Sequence, residues 1–269
     1  MHKFLDPMPR VVAHRGDSIN YPENTLPAFM SAAKLGVDII ETDIHLTKDN
    51  KIVIHHDPTI DGVCKETGAI VDYTLAELKS FDVAYRFTKD GGKTYPFRGQ
   101  GISIATLEEA LIALPNQRFN VDLKDKTEVI VDEFIKVLTN NNALDRVVGA
   151  SFHKTNLVSL RKKEPRILTS LATGEVAPLL FLQKLGILPK KFKRQMLFQI
   201  PVRLYGIQIL TPRFIKAMHK RDAIIMIWTV NEQEEMKRLY DMNVDAVMTD
   251  DPYTLTKVAK EYFKWAKLP

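Results

Sequence analysis

Three short groups in the chain carry side chains that could do chemistry together: His14-Arg15-Gly16, Glu41-Thr42-Asp43 and His56-Asp57. Two imidazoles, His14 and His56, can trade protons near neutral pH. Glu41 and Asp43 are two residues apart, so on a strand they point to one face and can share a hard cation. Arg15 beside them suits a phosphate. Together these are the parts for metal-assisted cleavage of a phosphate ester. A further pair in Asn120-Val121-Asp122-Leu123-Lys124 repeats the two-residue spacing. Asp122 offers a third acidic ligand, and Lys124 balances the carboxylates or touches the phosphate; an ordinary salt bridge is the other reading. Oxygen ligands without cysteine favour Mg²⁺ or Ca²⁺ over zinc. Trp228 is either plain core or a wall of the pocket. His55, adjacent to His56, points the other way along a strand and reads as structural. His2, His45, His153 and His219 read as surface or partly packed residues.

The elements that must position these groups follow from apolar runs. Val11 to His14, Val37 to Asp43, Arg118 to Lys124, Val147 to Phe152, Arg166 to Ala172, Phe198 to Val202, Ala223 to Val230 and Asp245 to Thr249 read as eight buried strands. Helical-period segments lie between or after them: Pro22 to Leu35, Thr106 to Leu114, Val129 to Leu138, Pro212 to Lys220, Glu232 to Tyr240 and Tyr253 to Trp265. Thr106 with Glu109 forms a capping box, and Asn231 is placed to cap the helix after it. Pro22-Glu23-Asn24-Thr25 is mainly a helix start, with a share in the site open to it. Alternation of this kind implies a parallel sheet, and eight units imply a (β/α)8 TIM barrel. An open doubly wound sheet is the alternative.

One run breaks the alternation. Ile52 to His56 follows the second strand after only Lys48-Asp49-Asn50-Lys51, too short for a parallel crossover. The two must form an antiparallel hairpin. A turn centred between Asp49 and Asn50 would bring His56 beside Asp43. Residues 58–105 are rich in glycine and turn residues, with one helical piece from Leu75 to Phe81; they read as a lid-like insertion or wall over the strand ends. Residues 1–269 are thus expected to be one barrel domain carrying that insertion.

Composition sets outer limits. A chain of 269 residues with 45% hydrophobic residues can bury a sizeable core. Its net charge of +5 fits an anionic substrate or surface. No dense basic run interleaved with aromatics points to nucleic acid. Cys64 is the only cysteine, so no internal disulfide forms. The first ten residues lack an apolar signal region, and Ala177 to Leu182 and Ala223 to Trp228 are too short to span a bilayer. A cytoplasmic protein is the expectation.

In order and spacing, the motifs resemble those of the glycerophosphodiester phosphodiesterase family: His14-Arg15-Gly16, Pro22 to Thr25, Glu41-Thr42-Asp43 and His56-Asp57, then Ile227 to Asn231 and Asp245 to Pro252. The likeness runs from about Val11 to Tyr253. It implies a (β/α)8 barrel that hydrolyses glycerophosphodiesters to glycerol 3-phosphate and an alcohol. It implies a divalent metal, Mg²⁺ or Ca²⁺, on Glu41, Asp43 and Asp122, with His14 and His56 as general acid and base. Arg15 and Lys124 would grip the phosphate. The neighbouring glycerol hydroxyl would attack phosphorus through a cyclic phosphate that water then opens. Two positions depart from the family pattern. The third ligand, usually glutamate, is Asp122, one methylene shorter. The segment after His56-Asp57, often Arg-Thr-Thr, reads Ile60-Asp61-Gly62-Val63-Cys64-Lys65 here.

The stretch from Phe181 to Tyr205 mixes apolar residues with Lys184, Lys190, Lys191, Lys193 and Arg194. It reads as an amphipathic barrel helix with its loop; an interfacial surface for anionic lipid is the sharper alternative. With Phe198 to Val202, which looks like members credited with that activity, it motivates a second function, a lysophospholipase D. A non-catalytic phosphate- or lipid-binding barrel is a third reading.

Overall fold

The computed structural model describes residues 2–204 and 207–263; Tyr205 and the end of the helix expected to reach Trp265 lie outside the described residues. The strands are β1 (Val11–His14), β2 (Ile39–Leu46), β3 (Ile52–Ile54), β4 (Arg118–Leu123), β5 (Val147–Ala150), β6 (Leu168–Thr169), β7 (Leu197–Ile200), β8 (Arg203–Leu204), β9 (Ile207–Gln208), β10 (Ile224–Ile227) and β11 (Ala246–Thr249). The helices are α1 (Leu26–Lys34), α2 (Leu75–Lys79), α3 (Leu107–Ala113), α4 (Glu128–Asn140), α5 (Lys154–Lys163), α6 (Thr173–Lys184), α7 (Pro212–His219), α8 (Gln233–Asp241) and α9 (Pro252–Phe263). Threonines start several helices: Thr25, Thr106, Thr127 and Thr211 each accept a backbone N–H from the first turn of α1, α3, α4 and α7. The Thr106–Glu109 capping box is present.

The sheet runs β6-β5-β4-β2-β1-β11-β10-β7, and every neighbouring pair in it is parallel. A parallel bridge between Ser170 and Leu197, with Leu171 N–H donating to the Leu197 carbonyl at 3.1 Å, joins the two ends. Eight parallel strands therefore make a nearly closed barrel rather than an open sheet. All eight residues of β2 are buried, as a strand covered on both faces requires.

Two apolar layers hold the barrel. The outer one lies between strands and helices and includes Phe29, Phe119, Phe134, Phe198 and Phe214. The inner one fills the barrel with Val12, Ile39, Val148, Leu168, Leu197, Ile224, Met226, Ala246 and Met248. Phe4 and Leu5, on a single 3-10 turn at the N-terminus, are buried in that same inner cluster. They plug the end of the barrel where the strands begin, and Arg118 donates to the Phe4 and Pro7 carbonyls to hold them there. Sequence reading gave this N-terminal turn no role.

The hairpin forms, with a register one residue off the expected one. Ile44 pairs with Ile54 and Leu46 with Ile52, so the turn centres on Asp49. It is His55, not His56, whose N–H meets the Asp43 carbonyl, at 3.0 Å. β3 ends at Ile54, and the chain then leaves the strand before His56. Residues 58–105 bury Ile60, Cys64, Ile70, Leu78, Val83 and Ile104 in a small cluster against Val53 of β3. Burial pushes the Cys64 thiol up to about 12, which suits a packing role. Helix α5 lies where no helix is expected from the sequence, and α6 begins at Thr173, ahead of the amphipathic helix expected from Phe181, and ends at Lys184. Among the described residues, no helix is long and apolar enough to cross a membrane.

Candidate active site

At the C-terminal ends of the barrel strands lies a cavity of about 280 Å³. His14, His56, Glu41, Asp43, Asp122, Arg15, Lys124 and Trp228, all marked from sequence, line it. Strand register explains the convergence. Glu41 lies opposite His14 on β1 and Asn120 on β4, and Asp43 lies opposite Asp122. Inward-facing positions of neighbouring strands stack side by side in this way.

The turn after β1 brings Arg15 back over β2. Arg15 and Gly16 take left-handed backbone, with φ of 58° and 86°, and Asn24 does the same at 57°. Gly16 approaches the backbone of Ala28 so closely that a Cβ there would lie 2.8 Å from its carbonyl carbon. That contact seats α1 against the turn. The Asn24 N–H reaches the Arg15 carbonyl at 3.0 Å, and its side-chain amide donates to Asp43 Oδ2 at 3.0 Å. The Arg15 guanidinium pairs with Glu23 at 2.8 Å and stands 3.6 Å from Asp43. The Pro22–Thr25 stretch thus does both jobs open to it: Thr25 caps α1, and Glu23 and Asn24 serve the cavity.

The acidic floor is unevenly compensated. Lys124 Nζ lies 2.7 Å from Asp43 and 2.8 Å from Asp122. Burial alone would raise Asp43, but Lys124, Asn24 and Arg15 outweigh it and hold the carboxyl below its usual range. Burial, followed by the Asp43 charge, pushes Glu41 far up. Burial also pushes Asp122 up, because its contact with Lys124 does not offset the loss of solvent. The two carboxylates hold Lys124 above its ordinary value despite burial. Among the described residues, Asp122 Oδ1 and Arg15 Nε are buried with no hydrogen-bond partner. The first is a spare hard oxygen and the second a spare donor. Three hard carboxylates, one with an orphan oxygen and one short of positive charge, suit a divalent cation chemically. They are not preassembled around one: among the described residues no three acidic, imidazole or thiol groups converge as a ready cluster, and Lys124 stands between Asp43 and Asp122.

The histidines are held by carboxylates. His14 Nδ1 donates to Asp250 Oδ1 at 2.6 Å, since an ionised carboxylate only accepts. This fixes the tautomer and leaves Nε2, 3.9 Å from Glu41, facing the cavity. Burial lowers His14, but the Asp250 hydrogen bond and the Glu41 charge outweigh it and raise its pKa. His56 Nδ1 pairs with Asp57 at 2.7 Å. His45, read from sequence as an ordinary histidine, is buried with Nδ1 at 2.7 Å from Asp125 and Nε2 at 3.2 Å from the His56 carbonyl. It braces the backbone that carries His56. His55 bonds the Thr59 carbonyl at 3.0 Å and does not line the cavity.

Other positions differ from expectation. Asn231 is not the helix cap, which is Glu232. Its side chain instead donates to Asp250 Oδ2 at 2.7 Å and accepts from the Asp250 N–H at 2.9 Å, locking the carboxylate that holds His14. Residues 58–105 supply none of the side chains that line the cavity. The apolar wall comes from elsewhere: Phe152, Leu171, Val176, Leu180, Ile200 and Trp228. Phe152 and Trp228 meet edge to face at 6.2 Å. Asp250 itself had a sequence signal, the Thr249-Asp250-Asp251-Pro252 run at a strand end, but no role could be read from spacing alone.

With this geometry, likeness to known proteins becomes informative. Residues 14–254 match the model of the glycerophosphoryl diester phosphodiesterase family. The chain belongs to that family. As a member it is an enzyme, a phosphodiesterase. A glycerophosphodiester phosphodiesterase of Caldanaerobacter subterraneus subsp. tengcongensis is 31% identical over 93% of this chain and 98% of its own length. A human lysophospholipase D is 26% identical over 91% of this chain and 84% of its own. The glycerophosphoryl diester phosphodiesterase domain of a Mycobacterium tuberculosis protein superposes with a TM-score of 0.83 at 19% identity, over 93% of this chain and 98% of that domain. It has the same family barrel fold.

Proposed function

We propose that this family member hydrolyses glycerophosphodiesters to glycerol 3-phosphate and an alcohol, using His14 and His56 to move protons and a divalent metal held by Glu41, Asp43 and Asp122. The observation that carries the reading is the convergence of both imidazoles, three acidic side chains and two cationic ones on one cavity at the strand ends. A diester phosphate seated there meets the Arg15 guanidinium, whose Nε makes no hydrogen bond, and the Lys124 ammonium, which bind and orient it. One imidazole takes the proton of the attacking hydroxyl while the other protonates the leaving alkoxide. Asp250 keeps His14 in the tautomer whose Nε2 faces the substrate, and Asp57 does the same for His56. When bound, Mg²⁺ or Ca²⁺ supplies polarisation of the phosphoryl oxygens and a lower pKa for the attacking hydroxyl.

One observation favours a second substrate class, lysophospholipids. The cavity wall of Phe152, Leu171, Val176, Leu180 and Ile200 is more apolar than a glycerol and a small alcohol require. A panel of glycerophosphodiesters and lysophospholipids, assayed after chelation and with each metal added back, tests both. Alcohol release that needs the added metal is expected. Release from none of the diesters with either metal would leave a phosphate-binding barrel as the better reading.

A further inference from the structure

We propose that α6 and the turn following it dock the protein on an anionic lipid surface, beside the mouth of the catalytic cavity. Phe181, Leu185 and Ile187 are 63%, 55% and 61% exposed and sit together in one short stretch. Large apolar side chains gathered at one exposed place mark a contact surface. Their neighbours hold the stretch in position: Leu179, Leu180, Leu188 and Phe192 are partly buried against the core. The exposed apolar residues are therefore presented by an anchored segment.

Charge selects the occupant. Residues 173–195 hold five basic side chains, Lys184, Lys190, Lys191, Lys193 and Arg194, against one acid, Glu175, in a chain whose net charge is only +5. Glu175 is already engaged by Arg161 and Arg194. Among the described residues the four lysines make no ion pair. Apolar side chains flanked by uncommitted lysines match the layering of an anionic membrane, with acyl boundary below and phosphate headgroups above. A protein partner of matched shape would not need that layering.

Position adds to the argument. The same helix gives Val176, Ala177 and Leu180 to the cavity wall, and Phe181 follows directly. Phe152, 61% exposed, also lines the cavity. A surface held against α6 thus meets the apolar side of the cavity. Docking of this kind does not depend on which diester is cut.

Co-sedimentation with phosphatidylcholine vesicles, with and without phosphatidylglycerol, tests the proposal on the full chain. The protein is expected to pellet with the phosphatidylglycerol vesicles at low salt and to be released at high salt. A Lys190→Gln/Lys191→Gln/Lys193→Gln variant should bind more weakly by roughly fivefold per lysine. A Phe181→Asp/Ile187→Asp variant should lose binding. Both should turn over a water-soluble glycerophosphodiester as wild type does, which also shows that they fold. Failure of wild type to pellet with anionic vesicles at low salt would overturn the proposal. So would equal binding by both variants, or a dimer in gel filtration that the Phe181→Asp/Ile187→Asp variant turns into a monomer.

Discussion

Each chemical side chain in the cavity has a second residue that decides what it can do. His14 alone is a partly buried imidazole; with Asp250 on Nδ1 it has one tautomer and one orientation. Asn231 in turn fixes Asp250. Asp250→Asn is expected to lower kcat by roughly 10²- to 10⁴-fold with a smaller change in KM, because the imidazole loses its orienting charge while the phosphate contacts stay. Steady-state kinetics on a soluble glycerophosphodiester reads this; an unchanged kcat would remove Asp250 from the account. The groups that line the cavity were legible as residue types at fixed spacing. Of their supports, Asp57 was legible too, being adjacent to His56, but the distant ones were not, because Asp250 lies 236 residues from His14, and His45 meets Asp125 across 80 residues. No local pattern encodes such a contact.

At the scale of elements, the turn after β1 shows how the fold places chemistry. Gly16→Ala would set a methyl against the Ala28 backbone in a left-handed conformation that alanine resists. It should cost about 1–3 kcal/mol, read as a lower urea midpoint with an unchanged slope. A variant as stable as wild type would mean that α1 is not seated by that contact. The end of α7 carries a pH-dependent link: His219 Nε2 lies 2.9 Å from Asp245. The Asp245 hydrogen bond outweighs burial and raises His219 from 6.5. A raised folded-state pKa adds stability that is complete below about pH 6.5 and is lost as pH rises through the higher folded value. In His219→Gln, thermal melts across that window should lose this component of the pH dependence. An unaltered pH profile would contradict the link. Element order was readable because apolar runs and helical periods alternate. The exact hairpin register was not, since a shift by half a residue in the turn centre changes which histidine meets Asp43 and leaves the apolar pattern intact. Helix α6 was legible only in its last turn, from Phe181, because its apolar side chains give no clean polar face and Pro178 sits inside it.

Across the whole molecule, the barrel divides its labour between two ends. Phe4 and Leu5 close the end where the strands begin, and the opposite end gathers His14, Glu41, Asp43, His56, Asp122 and Lys124. Residues 58–105 gather their buried apolar side chains against Val53 of β3 and give none to the cavity lining. Helix α6 walls part of the cavity, and it and the turn after it carry the exposed apolar and basic side chains beside the mouth. The central claim is that this one cavity cleaves the diester with two histidines. The most direct measurement is the kcat for release of choline and glycerol 3-phosphate from glycerophosphocholine by wild type, His14→Ala and His56→Ala, with metal present. Each variant is predicted to lose on the order of 10²- to 10⁴-fold in kcat while keeping the wild-type thermal stability within a few degrees. Turnover by either variant at the wild-type rate would contradict the account.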